Sequence, residues 1–340
     1  MPEAPVMNTP APQRSTPSGE PLLPPVVMHA HTPADPAMGT VVGSQRCTAS
    51  RKAAGFVRHV SIDVSNTGLA GRFVAGQSFG VLAPGHDAKG KPHQVRLYSI
   101  ASPSFGEDGA GNVLATTCKR LIDEDRVSGK LFLGVTSNYL CDLQVGDQVR
   151  VTGPNGKRFV LPADPSAHDY LFLATGTGVA PFRGMLKELY QHPGRPRVAS
   201  KSLLVLGSPY ASDLLYHDEL ESLAASEPSF TYLTAISREA KDVAGPGGTT
   251  IRRPLYVQDR LMLSEQARAM LASERTLVYV CGIAGMELGI FQAFARALPA
   301  GVREQYLEAD DATVAGVEGW DKKMIHRQVK PTRRVFLETY

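Results

Sequence analysis

Between residues 45 and 160 the chain is built from short apolar runs that alternate with polar positions and are separated by Gly, Pro and Asp. Examples are VRHVSIDVS, SFGVLAPG, HQVRLYSIAS, NVLATTCKRL and DQVRVTGPNG. Alternation over about 5–8 residues with frequent turn signals is typical of antiparallel strands. We therefore predict an antiparallel barrel or sandwich here, with one short helix in SNYLCDLQVGD that begins near Ser137.

From about residue 167 the period changes, and apolar runs of strand length alternate with longer amphipathic segments. DYLFLATG, SLLVLGS, FTYLTAIS and TLVYVCG have the composition of buried strands. The segments PFRGMLKELYQH, DLLYHDELESLAASE, VQDRLMLSEQARAMLAS and MELGIFQAFARALP are typical of helices. Strands that alternate with helices predict a parallel, doubly wound sheet, so the second part is expected to be a Rossmann-like α/β domain.

Length and composition allow two domains of ordinary size. The 340 residues are 43% hydrophobic and 20% charged, which is normal for a soluble globular protein. Single cores rarely grow past roughly 250 residues. The net charge of +3 is too small to indicate that the chain as a whole binds nucleic acid. No run of about 18 apolar residues is present, and we expect no membrane span.

Residues 1–40 contain ten prolines, no aromatic residue and little charge. Such a segment buries too little apolar area to offset the entropy lost on ordering. We therefore predict a disordered tail over residues 1–44, a β domain over 45–164 and an α/β domain over 165–340. MPEAPVMNTP lacks the basic and apolar regions of a secretory signal, and a segment whose one Lys or Arg is Arg14 makes a poor organelle presequence.

The four cysteines are Cys47, Cys118, Cys141 and Cys281. None belongs to a CxxC pair, and none lies near a histidine at a spacing typical of metal sites. This pattern favours neither a disulfide framework nor a metal site. We expect reduced thiols, no metal and a cytoplasmic location.

Two short motifs are candidate anion sites. In GTGVAP at 176–181, glycines between a strand and a helix would let a phosphate approach the helix N-terminus. In RLYS at 96–99, strand alternation would place Arg96 and Tyr98 on one face, where a guanidinium binds phosphate and a ring offers stacking. Taken alone, the first also fits an ordinary strand–helix turn, and the second fits a surface Arg beside a half-buried Tyr.

Read together, many segments closely resemble the plant-type ferredoxin–NADP(H) reductases, in the order of that family and over residues 45–340. The matching segments are GQSFGVLAPG, VRLYSIAS, CKRL, GVTSNYLCDL, VTGPNGKRFVLP, LATGTGVAPFRGML, LGSPYASDLLYHDELE, SRE, YVQDRL, VYVCGIAGME and RQVK…ETY. The resemblance implies an FAD-binding antiparallel β-barrel followed by an NADP(H)-binding α/β domain.

The resemblance also implies an FAD site. Its residues would be Arg96, Leu97, Tyr98, Ser99, Thr117, Cys118, Lys119, Gly134, Val135, Thr136 and Ser137. Within this set Tyr98 would stack on the flavin, and residues 134–137 would form the pyrophosphate loop. Thr177 would lie near both FAD and NADP. Plastid members have a Tyr two residues after KRL that stacks on the FAD adenine; this chain has Asp123, which leaves adenine stacking unassigned.

The implied NADP(H) site comprises Ser208, Pro209, Ser237, Arg238, Tyr256, Gln258, Gly282 and Ile283. NADP is favoured over NAD because no carboxylate follows the first Rossmann strand and helix at the ribose-binding place, whereas Arg238 can donate to a 2′-phosphate. Tyr256 would stack on the adenine. The family often has a Lys where this chain has Pro254, and Arg252 or Arg253 could replace it. The Gly-rich segment 239–254 is expected to be a loop that orders with nucleotide.

Ser99, Cys281, Glu338 and Tyr340 correspond to the family's active-site set. Without the resemblance, Cys281 would be interpreted as a small core residue and Glu338 as a solvated charge. With it, Cys281 would pack beside the nicotinamide, Glu338 would lie near Ser99, and Tyr340 would cover the second flavin face.

The implied activity is hydride exchange with NADP(H), mediated by FAD and coupled to one-electron transfer with ferredoxin or flavodoxin. The acceptor is expected to be a separate chain because no cysteine cluster for an iron–sulfur centre is present. Docking is predicted on the basic stretch 320–334, near Lys322, Lys323, Arg327 and Lys330. We expect a monomer. The alternatives are the NADPH-dependent reductase component of an oxygenase and a non-catalytic binding module with the same fold.

Overall fold

The computed structural model describes residues 20–124 and 128–340, which form an antiparallel barrel followed by an α/β layer. Both sheets follow from the two periods seen along the sequence: half-buried alternation in the first part and fully buried strands in the second. The predicted fold class is therefore confirmed.

The barrel is a six-stranded sheet with the strand order β4-β3-β8-β1-β2-β5. Its two edges meet where Ile100 bridges Thr116 and the backbone N–H of Ala101 donates to the carbonyl of Ala115 at 2.7 Å. A small hairpin and a helix connect β5 to β8. The elements are β1 (Ala37–Arg46), β2 (Val57–Asp63), β3 (Ser78–Leu82), β4 (Arg96–Ser99), β5 (Val113–Lys119), β6 (Ile122–Glu124), β7 (Leu131–Leu133), α1 (Val135–Asp142) and β8 (Gln148–Asn155).

The disordered tail predicted over residues 1–44 is wrong for residues 20–44, and residues 1–19 lie outside the described part. Strand β1 occupies the middle of the barrel sheet, between β8 and β2, with Ala37 and Val41 buried. The stretch before it is held by its backbone, since the Leu22 carbonyl accepts from Ala163 N–H at 2.9 Å. Proline-rich composition concealed this strand because main-chain pairing, rather than apolar side chains, satisfies much of the segment.

The second part is a five-stranded parallel sheet with the order β11-β10-β9-β14-β17 and helices on both faces. The strands and hairpins are β9 (Asp169–Thr175), β10 (Ser202–Ser208), β11 (Phe230–Ile236), β12 (Lys241–Ala244), β13 (Thr250–Arg253), β14 (Thr276–Gly282), β15 (Leu307–Glu308), β16 (Lys330–Pro331) and β17 (Val335–Thr339). The helices are α2 (Val179–Tyr190), α3 (His217–Ser226), α4 (Val257–Leu263), α5 (Glu265–Leu271), α6 (Met286–Ala297), α7 (Ala300–Arg303) and α8 (Asp311–Ala315).

Two details differ from the sequence expectations. The helix predicted over VQDRLMLSEQARAMLAS is divided at Ser264, whose side chain caps α5 by accepting from Ala267 N–H at 3.1 Å. The expected loop 239–254 contains the hairpin β12–β13. At Ser264 a local side-chain hydrogen bond competes with the pattern of apolar residues, whereas in 239–254 antiparallel main-chain pairing forms without a strong apolar pattern.

A buried cluster of charged and polar side chains joins the two domains. Arg183 on α2 donates to Glu107 of the barrel at 2.6 Å and to Glu219 on α3 at 2.9 Å. Tyr216 extends the cluster, because its hydroxyl lies 2.9 Å from His59 Nδ1. Arg183 is 8% exposed, so its pairing fixes how α2 packs on the barrel. None of the helices within residues 20–124 and 128–340 is both long and apolar enough to cross a membrane.

Candidate active site

A cleft of about 980 Å³ lies between the barrel and the carboxyl end of the parallel sheet. It is lined by strand ends from both domains. Predicted site residues that line it are Arg96, Leu97, Tyr98, Ser99, Thr117, Lys119, Gly134, Val135, Thr136, Ser137, Thr177, Glu338 and Tyr340. The sequence motifs of the two domains therefore converge on one space.

Strand β4 carries RLYS along one wall of the cleft. It pairs antiparallel with β3, with Tyr98 opposite Phe79 and Arg96 opposite Val81. Burial raises the pKa of the Tyr98 hydroxyl, and the nearby Cys118 side chain raises it further. Cys118 itself is fully buried and lies outside the lining, so its contribution to this wall is through Tyr98 and the strand backbone.

A second wall is the N-terminus of α1. Gly134 is the N-cap and has no side chain to accept from the first-turn N–H groups, so within residues 20–124 and 128–340 no side chain caps these donors and they can bind a ligand. A Cβ on Gly134 would lie 2.6 Å from Ser137 Oγ, which explains why the turn requires glycine. Arg96 is exposed and lines the same cleft. A guanidinium together with free helix N–H groups fits a pyrophosphate, and the residues present therefore fit FAD.

The third wall combines the carboxyl ends of β14 and β17. Cys281 and Glu338 are paired neighbours on these parallel strands. Burial raises the pKa of the Cys281 thiol, and the nearby Ser99 side chain of the barrel opposes this shift. Three of the four predicted active-site residues thus meet across the domain boundary. The thiol is protonated at neutral pH, which suits packing and hydrogen bonding rather than covalent chemistry.

Glu338 carries an ionisable carboxyl group in a buried environment. Its Oε2 is buried, and among the described residues it has no hydrogen-bond partner. Burial raises the pKa of the Glu338 carboxyl to about 7. At neutral pH the side chain is therefore divided between the acid and the carboxylate, and it can hold or release a proton at the inner end of the cleft.

Tyr340 lies on the outer side of the group formed by Ser99, Cys281 and Glu338. Its hydroxyl lies 2.6 Å from Thr177 Oγ1, its N–H donates to the Gly282 carbonyl at 3.0 Å, and its carbonyl accepts from Ala284 N–H at 2.9 Å. Tyr340 as a whole residue is 59% exposed, and it lines the cleft. These contacts place an aromatic ring over a ligand space while leaving its face free to contact a planar group.

The glycines of GTGVAP serve packing in the structure, whereas the sequence suggested that they would let a phosphate approach the helix. A Cβ on Gly178 would lie 2.1 Å from the Cys281 carbonyl oxygen, and Gly176 has a φ of 51°. Gly282, with a φ of 148°, has no room for a Cβ beside Thr175. These glycines thus allow α2 and the turn before it to pack tightly on β14.

The residues expected to bind NADP(H) lie along the same carboxyl edge of the sheet. Ser237 N–H donates to the Ser208 carbonyl at 3.0 Å, and Arg238 N–H donates to the Pro209 carbonyl at 2.9 Å. Two turns that follow neighbouring strands are thereby joined, with the Arg238 side chain exposed. Carboxyl ends of parallel strands are the usual place for nucleotides in such sheets.

The residues expected near the adenine of NADP(H) are exposed. Tyr256 is the N-cap of α4 and is 63% exposed, and Gln258 follows it beside α6. Ile283, beyond the end of β14, is also exposed and donates its N–H to Thr175 Oγ1 at 3.0 Å. Of the two arginines near Pro254, Arg252 is paired with Asp242 at 3.2 Å and Arg253 with Asp259 at 3.5 Å.

The basic residues of the stretch 320–334 lie at separate places in the structure. Lys322 Nζ donates to the Ala284 carbonyl at 3.1 Å, which brings it next to Tyr340. Lys330 instead pairs with Glu308 in the β15–β16 ladder and lines a separate cavity of about 400 Å³ at the start of β17. Five residues of strand, roughly 16 Å, separate the two ends of β17. Lys323 and Arg327 are exposed in the intervening loop.

Several cleft residues were missed by sequence reasoning. His93, Gln94, Leu121, Phe132 and Ala180 all line it. Leu121 and Ala180 belong to the motifs CKRL and GTGVAP but were not assigned to the site. The other three lie outside the matching segments, and the hairpin β6–β7 that presents Phe132 falls in a stretch with no clear period. Exposed apolar residues beside a predicted phosphate loop are the one signal that could have indicated them.

Comparisons with known proteins agree on one family. Residues 172–291 match the family model described as "Oxidoreductase NAD-binding domain". The chain is 38% identical to the ferredoxin–NADP reductase of Thermosynechococcus vestitus over 80% of this chain and 68% of that protein. It is 37% identical to the chloroplastic leaf isozyme 1 of Oryza sativa subsp. indica over 78% of this chain and 70% of the other.

Among solved structures, ferredoxin–NADP+ reductase from Plasmodium falciparum superposes with a TM-score of 0.64 at 19% identity. The match covers 92% of this chain and 99% of that one, which shows a shared fold. FAD and NADP(H) are the cofactors of the family. With relatives of this identity over most of its length, the chain belongs to the ferredoxin–NADP reductase family.

Proposed function

We propose that this chain is a ferredoxin–NADP reductase that exchanges electrons between NADP(H) and ferredoxin or flavodoxin, with FAD as its resident cofactor. The observation that carries the proposal is that Ser99 of the barrel and Glu338 of the parallel sheet line one cleft, with Cys281 paired beside Glu338. A non-catalytic module would have no need to bring a titrating carboxyl, a thiol and a hydroxyl to one point between domains.

Arg96 and the N-terminus of α1 would hold the FAD pyrophosphate, and Tyr98 would hold the flavin from one side. When bound, FAD supplies the exchange between hydride transfer and single-electron transfer. Ser208, Ser237, Arg238 and Tyr256 would anchor the adenosine half of NADP(H) at the carboxyl edge of the sheet. Anchoring the distant half of a nucleotide orients its reactive half without any chemistry of its own.

The side chains at the inner end of the cleft would orient the nicotinamide and hold or release a proton. The Ser99 hydroxyl and the Cys281 thiol would orient the nicotinamide side of the site, and Glu338 would hold or release a proton there because its pKa is about 7. Tyr340 would exclude water and must move aside before the nicotinamide can contact the flavin. Thr177 holds the Tyr340 hydroxyl in the closed position.

The partner would dock where Lys322 approaches Tyr340 and Lys323 is exposed next to it in sequence, since ferredoxins and flavodoxins are acidic and complementary charge speeds encounter. We further propose that the chain acts as a monomer in the cytoplasm, where its four free cysteines would stay reduced.

The test is stopped-flow reduction of purified ferredoxin and flavodoxin by NADPH, with ferricyanide as the small acceptor. The expected result is a yellow, FAD-containing protein that reduces ferricyanide and at least one of the two proteins. Reduction of ferricyanide alone would favour a reductase for another acceptor, such as an oxygenase component. A colourless protein that binds no FAD and oxidises no NADPH would leave only a binding role.

A further inference from the structure

The cleft continues beyond the pyrophosphate site to a hairpin with exposed apolar side chains. Strands β6 and β7 pair antiparallel, with Asp123 directly opposite Phe132. Phe132 lines the cleft and remains 55% exposed, and Leu121 lies beside it in the same lining. An aromatic ring held in a cleft with an open face is suited to a second planar ring.

The contacts of the hairpin indicate which ring this is. The N-terminus of α1 adjoins it, because the Gly134 N–H donates to the Leu121 carbonyl at 3.0 Å, and Arg96, Tyr98 and Tyr340 line the same cleft. FAD has a flavin and an adenine on opposite sides of its pyrophosphate. If the flavin lies against Tyr98 and the pyrophosphate against α1, as the proposed function requires, the adenine must extend toward Leu121 and Phe132.

Residue polarity on the hairpin agrees with this assignment. Antiparallel pairing puts Leu121, Asp123 and Phe132 on one face, and places Ile122, Leu131 and Leu133 on the other. Asp123 offers no ring, so the aromatic group on the cleft face comes from the opposite strand. We propose that Phe132 is the adenine platform of FAD in this chain, taking the place that Asp123 leaves vacant.

The test compares two flavins that differ in the adenylate group. Apo-protein is titrated with FAD and with FMN, which lacks the adenine, and binding is followed by flavin fluorescence. Phe132→Ala should weaken FAD binding about tenfold and leave FMN binding unchanged. Leu131→Ala, on the opposite face of the same strand, is the matched control and should bind both flavins as the wild type does.

A second pair of variants separates stacking from simple apolar contact. Phe132→Trp should retain wild-type FAD affinity. Phe132→Leu should lose most of the FAD affinity that Phe132→Ala loses. The proposal is overturned if Phe132→Ala binds FAD as tightly as the wild type, if it weakens FAD and FMN equally, or if Leu replaces Phe without loss. Wild-type apo-protein that binds no flavin would instead overturn the proposed function.

Discussion

The Tyr340 hydroxyl lies 2.6 Å from Thr177 Oγ1, so the ring that covers the cleft is fastened to the turn that begins α2. An aromatic ring in this position competes with a nicotinamide for the same face. Tyr340→Ser should therefore tighten NADP+ binding by about 2- to 10-fold, the range of a lost aromatic contact, and should weaken the preference for NADPH over NADH.

The measurement is NADP+ titration by difference absorbance, with kcat/KM for both reduced nucleotides. Thr177→Val is the useful companion, because it removes the hydroxyl contact but keeps the ring. It should move NADP+ affinity in the same direction by a smaller factor. Unchanged NADP+ binding in Tyr340→Ser would mean that the ring does not compete with nicotinamide.

Glu338 should make stability depend on pH. Its folded pKa of about 7 lies above the ordinary value of 4.5, so the folded state binds the proton more tightly than the unfolded state. That contribution is fully present below pH 4.5 and is lost as pH rises through 7. Glu338→Gln should remove this dependence, and at pH 8 it should be more stable than the wild type by on the order of 1–3 kcal/mol.

The two proteins are compared by urea unfolding at pH 5 and pH 8 with matched FAD content. Hydride transfer from NADPH should be slower in Glu338→Gln at pH 7, since the variant cannot exchange a proton at this position. Parallel pH profiles of stability would show that the Glu338 carboxyl is not perturbed.

Arg238 should determine the preference for the 2′-phosphate. It is exposed at the end of β11, next to the turn that carries Ser208. Arg238→Ala should raise KM for NADPH about 10- to 100-fold, as expected for the loss of a charged hydrogen bond, while KM for NADH changes little. Equal increases for both nucleotides would assign Arg238 a general structural role.

Arg96 should contribute to FAD retention. Arg96→Ala should lose about 1.5–3 kcal/mol of FAD binding because a charged donor to the pyrophosphate is removed. Arg96→Lys keeps the charge but not the two-pronged geometry, and should fall between the wild type and the Ala variant. FAD content after dialysis and fluorescence titration of the apo-protein give the affinities. Full FAD retention by Arg96→Ala would exclude it as a pyrophosphate ligand.

Lys322 and Lys330 provide a matched pair for the docking surface. Both are exposed lysines of the same basic stretch, but only Lys322 approaches Tyr340. Lys322→Glu should slow reduction of an acidic protein acceptor severalfold at low salt, with the defect shrinking as salt rises. Lys330→Glu should have a smaller effect. NADPH–ferricyanide activity should stay near wild type in Lys330→Glu, and equal defects in both variants would argue against a local docking site.

Sequence patterns predicted the fold class and the family, and both are confirmed. In the α/β domain they worked because the motifs lie at strand ends, and the carboxyl ends of parallel strands come together at one edge of the sheet. The assigned roles of individual residues remain predictions. What the sequence could not provide was pairing between distant segments. Phe132 enters the cleft only because β7 pairs with β6, and Lys330 leaves it only because β16 pairs with β15.

The error over residues 20–44 has a related origin. Composition reports how much apolar area a segment can bury, but β1 is held between two strands by main-chain hydrogen bonds and by a few buried positions such as Val41. Its partners lie more than a hundred residues away in β8 and nearby in β2. Only the closed barrel makes this position favourable.

The buried Arg183 on α2 has a consequence for folding as well as for architecture. Its guanidinium is bonded to Glu107 of the barrel and Glu219 of the α/β layer, so separating the two halves would break charged hydrogen bonds that cross the boundary between them. We therefore expect both halves to melt in a single cooperative transition. The amide protons of β5 and α2 should then exchange with solvent at similar rates, governed by global opening of the molecule.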